Sequence, residues 1–361
     1  MLRHGVEPGR RHYARQANQG SFNVPHTVVC FGEVLLRLSA PGKQLLLQSP
    51  TFDAHVGGAE ANVAVALSRL GHRARMVSTL ADSSLGQACA AELRRHGVDL
   101  ETIRYGEGRM GLYFLTHGAG QRPAEVLYDR GDSAFALSSP EAYDWPVLLT
   151  DALWLHLSGI TPAVSASAAD AALAAVDAAR ARGVRVSFDC NFRARLWGAR
   201  ARQAPAILKA LCERADVIFG DQRDVAFILG NDAGTGAGRE ARERAARVAF
   251  ETFPHLSWMA NTERRRQSVE IQELTGWLHG RDATYCTRPY PLNGIVDRIG
   301  AGDAFAAGVL HGLIAGLDPQ GTIEFGTAAA CLKHSIPGDF NLIGRADIEA
   351  LLNETHTDVR R

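Results

Sequence analysis

Asp297-Arg298-Ile299-Gly300-Ala301-Gly302-Asp303 runs directly into an apolar helical pattern, Ala304 to Ala315. Glycines at 300 and 302 let the backbone turn tightly into a helix. The first N–H groups of such a helix have no acceptor within it. With the helix dipole they form a site for an anion such as a phosphoryl group. Asp303 falls in the first turn beside that site, where a carboxylate could accept a proton from an attacking hydroxyl. The same residues also suit a plain glycine-rich turn with aspartate at an ordinary N-terminal helix position, and the stretch alone leaves both readings open.

Far upstream, Gly57-Gly58-Ala59-Glu60-Ala61-Asn62 opens another helical pattern. Paired glycines permit close approach of backbone to a ligand, and Asn62 is placed to hydrogen-bond hydroxyl groups. Glycine before an Ala-rich helix also serves packing alone. The chain has no GxxxxGK[ST] and no GxGxxG following a strand, so neither a P-loop nor a dinucleotide fingerprint is present.

Between these two stretches, short apolar runs without polar alternation read as strands buried on both faces. They are Val28–Gly32, Ala74–Ser78, Ala152–Leu157, Val184–Phe188 and Val217–Phe219. Helical patterns over Ala59–Leu70, Leu85–His96 and Ala163–Arg182 alternate with them, each stopped by glycine at 71, 97 or 183. Alternation of this kind predicts βαβ units and a mostly parallel sheet. Two stretches break the rhythm, residues 35–56 and 103–135, which carry β-type residues and turn signals but no helix. They suit long loops or, more economically, a small β-sheet lid over an active site.

Bulk properties narrow the function. The 39 Lys+Arg balance 39 Asp+Glu, which gives no reason to expect a nucleic-acid or membrane partner. Six scattered cysteines lack metal or disulfide spacing and suit free thiols in a reducing compartment. With no apolar run long enough to cross a bilayer, and no signal-peptide core after the early arginines, a cytoplasmic location is expected. Residues 1–26 read as a disordered basic tail ahead of one domain over 27–361.

Together the early Gly-Gly and late Gly-Ala-Gly-Asp stretches resemble the PfkB, or ribokinase-like, carbohydrate kinases, from about Val28 to the C-terminus. The resemblance implies a three-layer α/β/α domain with a mostly parallel central sheet and a small β-sheet lid. It implies sugar binding at Gly57, Gly58 and Asn62, an anion hole at Gly300, Ala301 and Gly302, and Asp303 as the catalytic base. Within the family the likeness is to 2-keto-3-deoxygluconate kinases, through Tyr128-Asp129-Arg130 and Phe188-Asp189-Cys190-Asn191-Phe192-Arg193 before Leu196-Trp197. It implies a substrate shell that adds Tyr113, Tyr128, Arg130 and Arg193, the arginines facing a carboxylate, which guanidinium groups match in a forked geometry. Arg130 and Arg193 could equally be surface residues, or partners of Asp129 and Asp189.

The family likeness further implies ATP and Mg²⁺, leaves a monovalent cation open, and gives a small-molecule sugar acid as partner with a homodimer formed through the lid. A kinase for a neutral ketose or nucleoside, or a silent sugar sensor, are the rival readings. Three features depart from the family pattern. Arg298 replaces a small residue or proline, and Asp221-Gln222-Arg223-Asp224 stands where Asn-x-x-Glu is usual. No glycine follows Ala260-Asn261-Thr262, on the expected nucleotide strand, and Arg264-Arg265-Arg266 comes next. Asp221, Asp224 and Arg298 are taken as nucleotide-side candidates and Asp339 as a substrate-side one. No metal ligand is assigned, and His117 and His156 read as structural.

Overall fold

A computed structural model describes residues 27–232, 235–269 and 271–353; the expected N-terminal tail lies outside them. Among the described residues the largest element is a nine-stranded sheet. From one edge its order is Arg73–Val77, Thr27–Phe31, Ala152–Ser158, Arg185–Asp189, Val217–Phe219 and Trp258–Arg266, every neighbouring pair parallel. Successive residues of Thr27–Phe31 show why the sheet is covered on both sides. Val28 and Cys30 belong to one apolar cluster, Val29 and Phe31 to another, and all four are fully buried. Period-two alternation therefore sends apolar side chains to two helix layers, which explains the absence of polar alternation in the sequence.

The expected helices form, with one correction. Ala163–Arg182 is not a single helix: Ile160–Val164 ends at Ser165, and a second helix runs Ala166–Ala181. Ser165 is extended (φ −155°), and its hydroxyl accepts the Ala168 N–H at 3.0 Å. A local N-cap has overridden the continuous alanine pattern. Beyond Trp258 the sheet turns antiparallel, through Ile271–His279 with Thr284–Cys286 and Tyr290–Asn293. The sequence analysis assigned no strands to this extension apart from the one expected near Ala260-Asn261-Thr262.

The two irregular stretches meet in a separate four-stranded sheet, ordered Asp53–Gly57, Leu35–Ser39, Gly111–Thr116, Glu125–Asp129. Its middle pair is parallel and its outer pairs antiparallel. Not all of 103–135 contributes: Arg104–Gly106 pairs with Thr79–Ala81, and Ala134–Leu137 is a helical turn whose Phe135 packs on Phe31 in the main core. One face of the small sheet presents Leu35, Tyr113, Leu115, Val126 and Tyr128 to Ile299, at the entrance of the late glycine turn. All six cysteines are free. His156 is buried against the Ser187 hydroxyl, and burial pushes its pKa down to about 3, as suits a structural residue.

Candidate active site

A cleft of about 860 Å³ lies between the small sheet and the C-terminal ends of the parallel strands, the usual place for ligands in open α/β sheets. Gly300 occupies the left-handed region (φ 78°) as cap of the helix Ala301–Ala315. A Cβ there would sit 1.9 Å from the Asp339 carbonyl oxygen, so only glycine fits. The first main-chain bond of the helix runs from the Ala304 N–H to the Gly300 carbonyl, 2.8 Å. The N–H groups of Ala301, Gly302 and Asp303 thus have no main-chain acceptor among the described residues, and Gly302 is exposed to the cleft it lines. This is the anion-binding geometry expected of a helix start.

Asp303 lines the same cleft. Desolvation by the surrounding protein pushes its carboxyl up to about 7, against the pull of Asn62, whose Nδ2 donates to Asp303 Oδ2 at 2.6 Å. A carboxylate poised near neutrality, with one oxygen held and a row of free N–H groups alongside, is equipped to take a proton next to a developing negative charge. Asn62 reaches it from the helix Ala59–Arg69, which Gly58 caps at φ 137°. There a Cβ would meet the Glu33 carbonyl oxygen at 2.2 Å. Sequence positions 241 apart therefore meet at one hydrogen bond.

Most sequence-derived candidates converge on this cleft. Gly58, Asn62, Tyr113, Tyr128, Arg130, Arg193 and Asp339 line it, as do Asp221, Asp224 and Arg298. Gly57 lies behind it, where a Cβ would meet Asp339 Oδ2 at 2.3 Å. The two arginines differ in kind. Arg130 is buried, its Nε donating to Glu33 Oε2 at 2.5 Å, while Asp129 pairs with Arg109 instead. Arg193 is exposed, and its one hydrogen bond is to the Phe192 carbonyl at 3.0 Å. Neither pairs with the adjacent aspartate.

Asp221 and Asp224 close a capping box on the helix Gln222–Leu229. Asp221 accepts the Arg223 N–H, and Asp224 Oδ2 accepts the Asp221 N–H, both at 2.8 Å. Burial pushes Asp224 up to about 6; burial acts the same way on Asp221 but is outweighed by the Arg223 bonds, which hold it below the usual carboxylate range. Among the described residues no group of three or more His, Cys, Asp or Glu is arranged as a metal cage.

Several wall residues lie outside the substrate shell expected from the sequence. Asp189, at the end of its strand, is pushed up to about 8 by desolvation and by the charge of Asp303. Asn191 takes a left-handed φ of 34°, and its Oδ1 is buried without a partner among the described residues. Phe192 and Phe227 stack at 4.1 Å on the wall. Asp189 and Asn191 sit in the stretch Phe188 to Arg193, four and two residues before Arg193, a spacing that could have marked them. Arg37 and Lys333, both buried beside Asp297 and Asp339, carried no local signal.

Comparison with known proteins agrees with this geometry. Residues 25–341 match the pfkB family carbohydrate kinase pattern. A 2-dehydro-3-deoxygalactonokinase of Haloferax volcanii is 33% identical over 331 residues, covering 90% of this chain and 96% of its own. A 2-dehydro-3-deoxygluconokinase of Bacillus subtilis is 29% identical, covering 87% and 91%. The crystal structure of a 2-dehydro-3-deoxygluconokinase from Thermotoga maritima superposes with a TM-score of 0.86 at 37% identity, covering 90% of this chain and 99% of that one. With the capped glycine turn, the aspartate at its helix start and the small sheet over the cleft, these matches lead to one conclusion: the chain belongs to the pfkB family of carbohydrate kinases.

Proposed function

We propose that the protein transfers the γ-phosphoryl group of ATP to the terminal 6-hydroxyl of a 2-keto-3-deoxy sugar acid, with 2-keto-3-deoxygluconate as the leading substrate. The observation that carries this is the bond from Asn62 to Asp303 beside the unpaired N–H groups of 301–303. In the proposed reaction Asp303 takes the proton of the 6-hydroxyl as that oxygen bonds to the γ-phosphorus. The bond from phosphorus to the β-bridging oxygen breaks, and ADP leaves. The N–H groups of Ala301, Gly302 and Asp303 hold the charge on the transferring group.

Buried acceptors on the wall, Oδ1 of Asn62 and of Asn191, lack hydrogen-bond partners among the described residues. Such groups call for donors, and a polyol supplies them. Mg²⁺ enters with nucleotide phosphates and needs only one or two protein carboxylates, so the absence of a preformed cage fits; Asp224 and Asp221 are the residues placed to hold its water shell. When bound, the ion neutralises phosphate charge.

Arg193 supports an acidic substrate, because its guanidinium forms no salt bridge among the described residues, although its charge is felt by Asp189, Asp224 and Asp303. Arg130 supports it less strongly, since Glu33, bonded to its Nε, already offsets its charge. That same offset is what favours a neutral ketose as the second reading. A coupled ADP-release assay on 2-keto-3-deoxygluconate, its galacto epimer, fructose and ribose separates the two. The acids are expected to turn over with kcat/KM at least tenfold above the neutral sugars; the reverse order would overturn the acid assignment.

We also propose that two copies pair through their lids. Leu127 and Leu47 are 56% and 82% exposed on the small sheet and its loop, and a small sheet covers its apolar face poorly on its own. Sedimentation is expected to give a dimer that Leu127→Arg dissociates; a monomeric wild type would count against it.

A further inference from the structure

Arg37 sits in mid-strand on Leu35–Ser39, paired in register with Tyr113 on one side and His55 on the other. It therefore belongs to the lid sheet, yet its side chain is 1% exposed and points away from solvent into the main domain. Its Nη2 donates to Asp297 Oδ2 at 2.7 Å, and its Nε lies 3.2 Å from Asp339 Oδ1. Nε and Nη1 make no hydrogen bond among the described residues, so the two carboxylates offset this buried charge chiefly as ion-pair partners.

Each acid holds a different part of the late glycine turn. Asp297 opens the turn, accepting the Ile299 N–H at 3.0 Å and the Gly338 N–H at 3.1 Å. Asp339 is fixed from the lid a second time, by the Tyr113 hydroxyl donating to its Oδ2 at 2.6 Å. Its carbonyl oxygen rests on Gly300 so closely that no Cβ would fit between them. Lys333 completes the charge balance from below. Fully buried, it donates to the Ile336 carbonyl at 3.1 Å and is attracted by both carboxylates. Two cations and two anions thus join the lid strand, the turn and the C-terminal loop, with no water-exposed member to let them slip.

We propose that Arg37 is a positioning residue that transmits the position of the lid to the Gly300–Asp303 turn, so that sugar binding under the lid sets the N–H groups that receive the phosphoryl group. The inference rests on reading that turn as the phosphoryl-transfer site. Packed, hydrogen-bonded charge networks of this kind move as units between discrete arrangements. The rival account gives Arg37 a purely structural role, and the two differ in observables other than stability.

The test is amide hydrogen exchange on the full chain with and without 2-keto-3-deoxygluconate, in wild type, Arg37→Gln and Arg37→Lys. In wild type the acid is expected to slow exchange both in 112–128 and in 299–303. In Arg37→Gln protection of 112–128 persists, protection of 299–303 is lost, and kcat falls at least tenfold while the sugar KM changes less than threefold. Arg37→Lys keeps the charge in case the glutamine variant does not fold, but lacks the planar fork that spans two acids, and it should show the same split in smaller degree. Wild-type protection of the lid without the turn, or variants that keep both turn protection and kcat, would overturn the proposal. If the wild-type lid ignores the acid, the substrate reading fails separately. The coupling is then read without ligand: Arg37→Gln should speed exchange at 299–303 and leave 112–128 as in wild type, and unchanged exchange at the turn would refute it.

Discussion

The two halves of the cleft are wired differently. Under the lid, contacts join residues far apart in the chain: Arg37 to Asp297 across 260 positions, Asn62 to Asp303 across 241, Tyr113 to Asp339 across 226. The groups involved are largely removed from solvent. Beneath the strand Val217–Phe219, the contacts of the acidic pair Asp221 and Asp224 are local, although buried Arg242 bonds Gln222 and Asn261 from 20 and 19 positions away. Arg223 pairs with Asp221 two residues away, and Asp221 with Asp224 forms a helix cap. Arg223 there is 83% exposed at its side chain. A half held by buried long-range pairs keeps its shape before any ligand arrives, whereas exposed local pairs are screened by water and contribute little. The lid half is therefore preorganised, while the exposed Arg223–Asp221 edge of the other half is adaptable.

The largest expected break comes from the centre of the lid half. Asp303→Asn should lower kcat by about 10² or more, the scale of a lost general base, while sugar and ATP binding persist. Because the Asp303 carboxyl is pushed up to about 7 and only its ionised form accepts a proton, wild-type kcat/KM should fall as pH drops below about 7 and level off above it. A variant that keeps most of its turnover, or a profile flat from pH 5 to 8, removes Asp303 from the mechanism.

Next in size is the pair of arginines, one buried and one exposed. Arg193→Ala should cost about 2–4 kcal/mol in kcat/KM on the sugar acid, scaled from truncation of a buried charge contact, and much less on the neutral reduced analogue, with thermal stability unchanged. Arg130→Ala should show a similar kinetic loss and also lose about 3–5 kcal/mol of stability, because Glu33 is left buried and unpaired. Equal losses on acid and neutral analogue would remove the carboxylate contact for both residues. An unchanged melting temperature for Arg130→Ala would mean that Glu33 finds another partner.

The smallest effect belongs to the open half. No described residue pairs with Arg298, and the neighbouring Asp297 is engaged by Arg37 instead. Arg298 lines the cleft half-buried, its pKa lowered by burial and by nearby Arg266, as befits a cation lacking a counter-charge. Arg298→Thr should raise the ATP KM roughly three- to tenfold, the scale of about 1 kcal/mol for a partly exposed charge contact. Stability should change by less than about 0.5 kcal/mol. Steady-state kinetics with varied ATP, alongside a thermal melt, checks both; unchanged kcat and ATP KM would take Arg298 out of nucleotide binding.

What the sequence determined by itself was local in character. Glycine at 300, an aspartate three residues on and an apolar helix behind them specify a tight turn into a helix, because backbone conformation there depends on neighbours in the chain; whether the turn serves an anion was left open by the stretch itself. Apolar runs without alternation specified strands covered on both faces, as Thr27–Phe31 turned out to be. The break at Ser165 was equally local, yet a serine in an alanine-rich run competes with a continuous helix by about 1 kcal/mol either way, too little to read unaided. Tertiary structure alone decided the rest. Arg37, Asp297, Asp339 and Lys333 carry no mutual spacing signal, since ion pairs depend on distance in space. That distance is set only when the lid strands fold over the turn and exclude water from all four groups. The sequence could also not show that Glu33, ninety-seven positions from Arg130, would hold one of the two arginines and leave Arg193 free, because only the folded chain determines which charges meet.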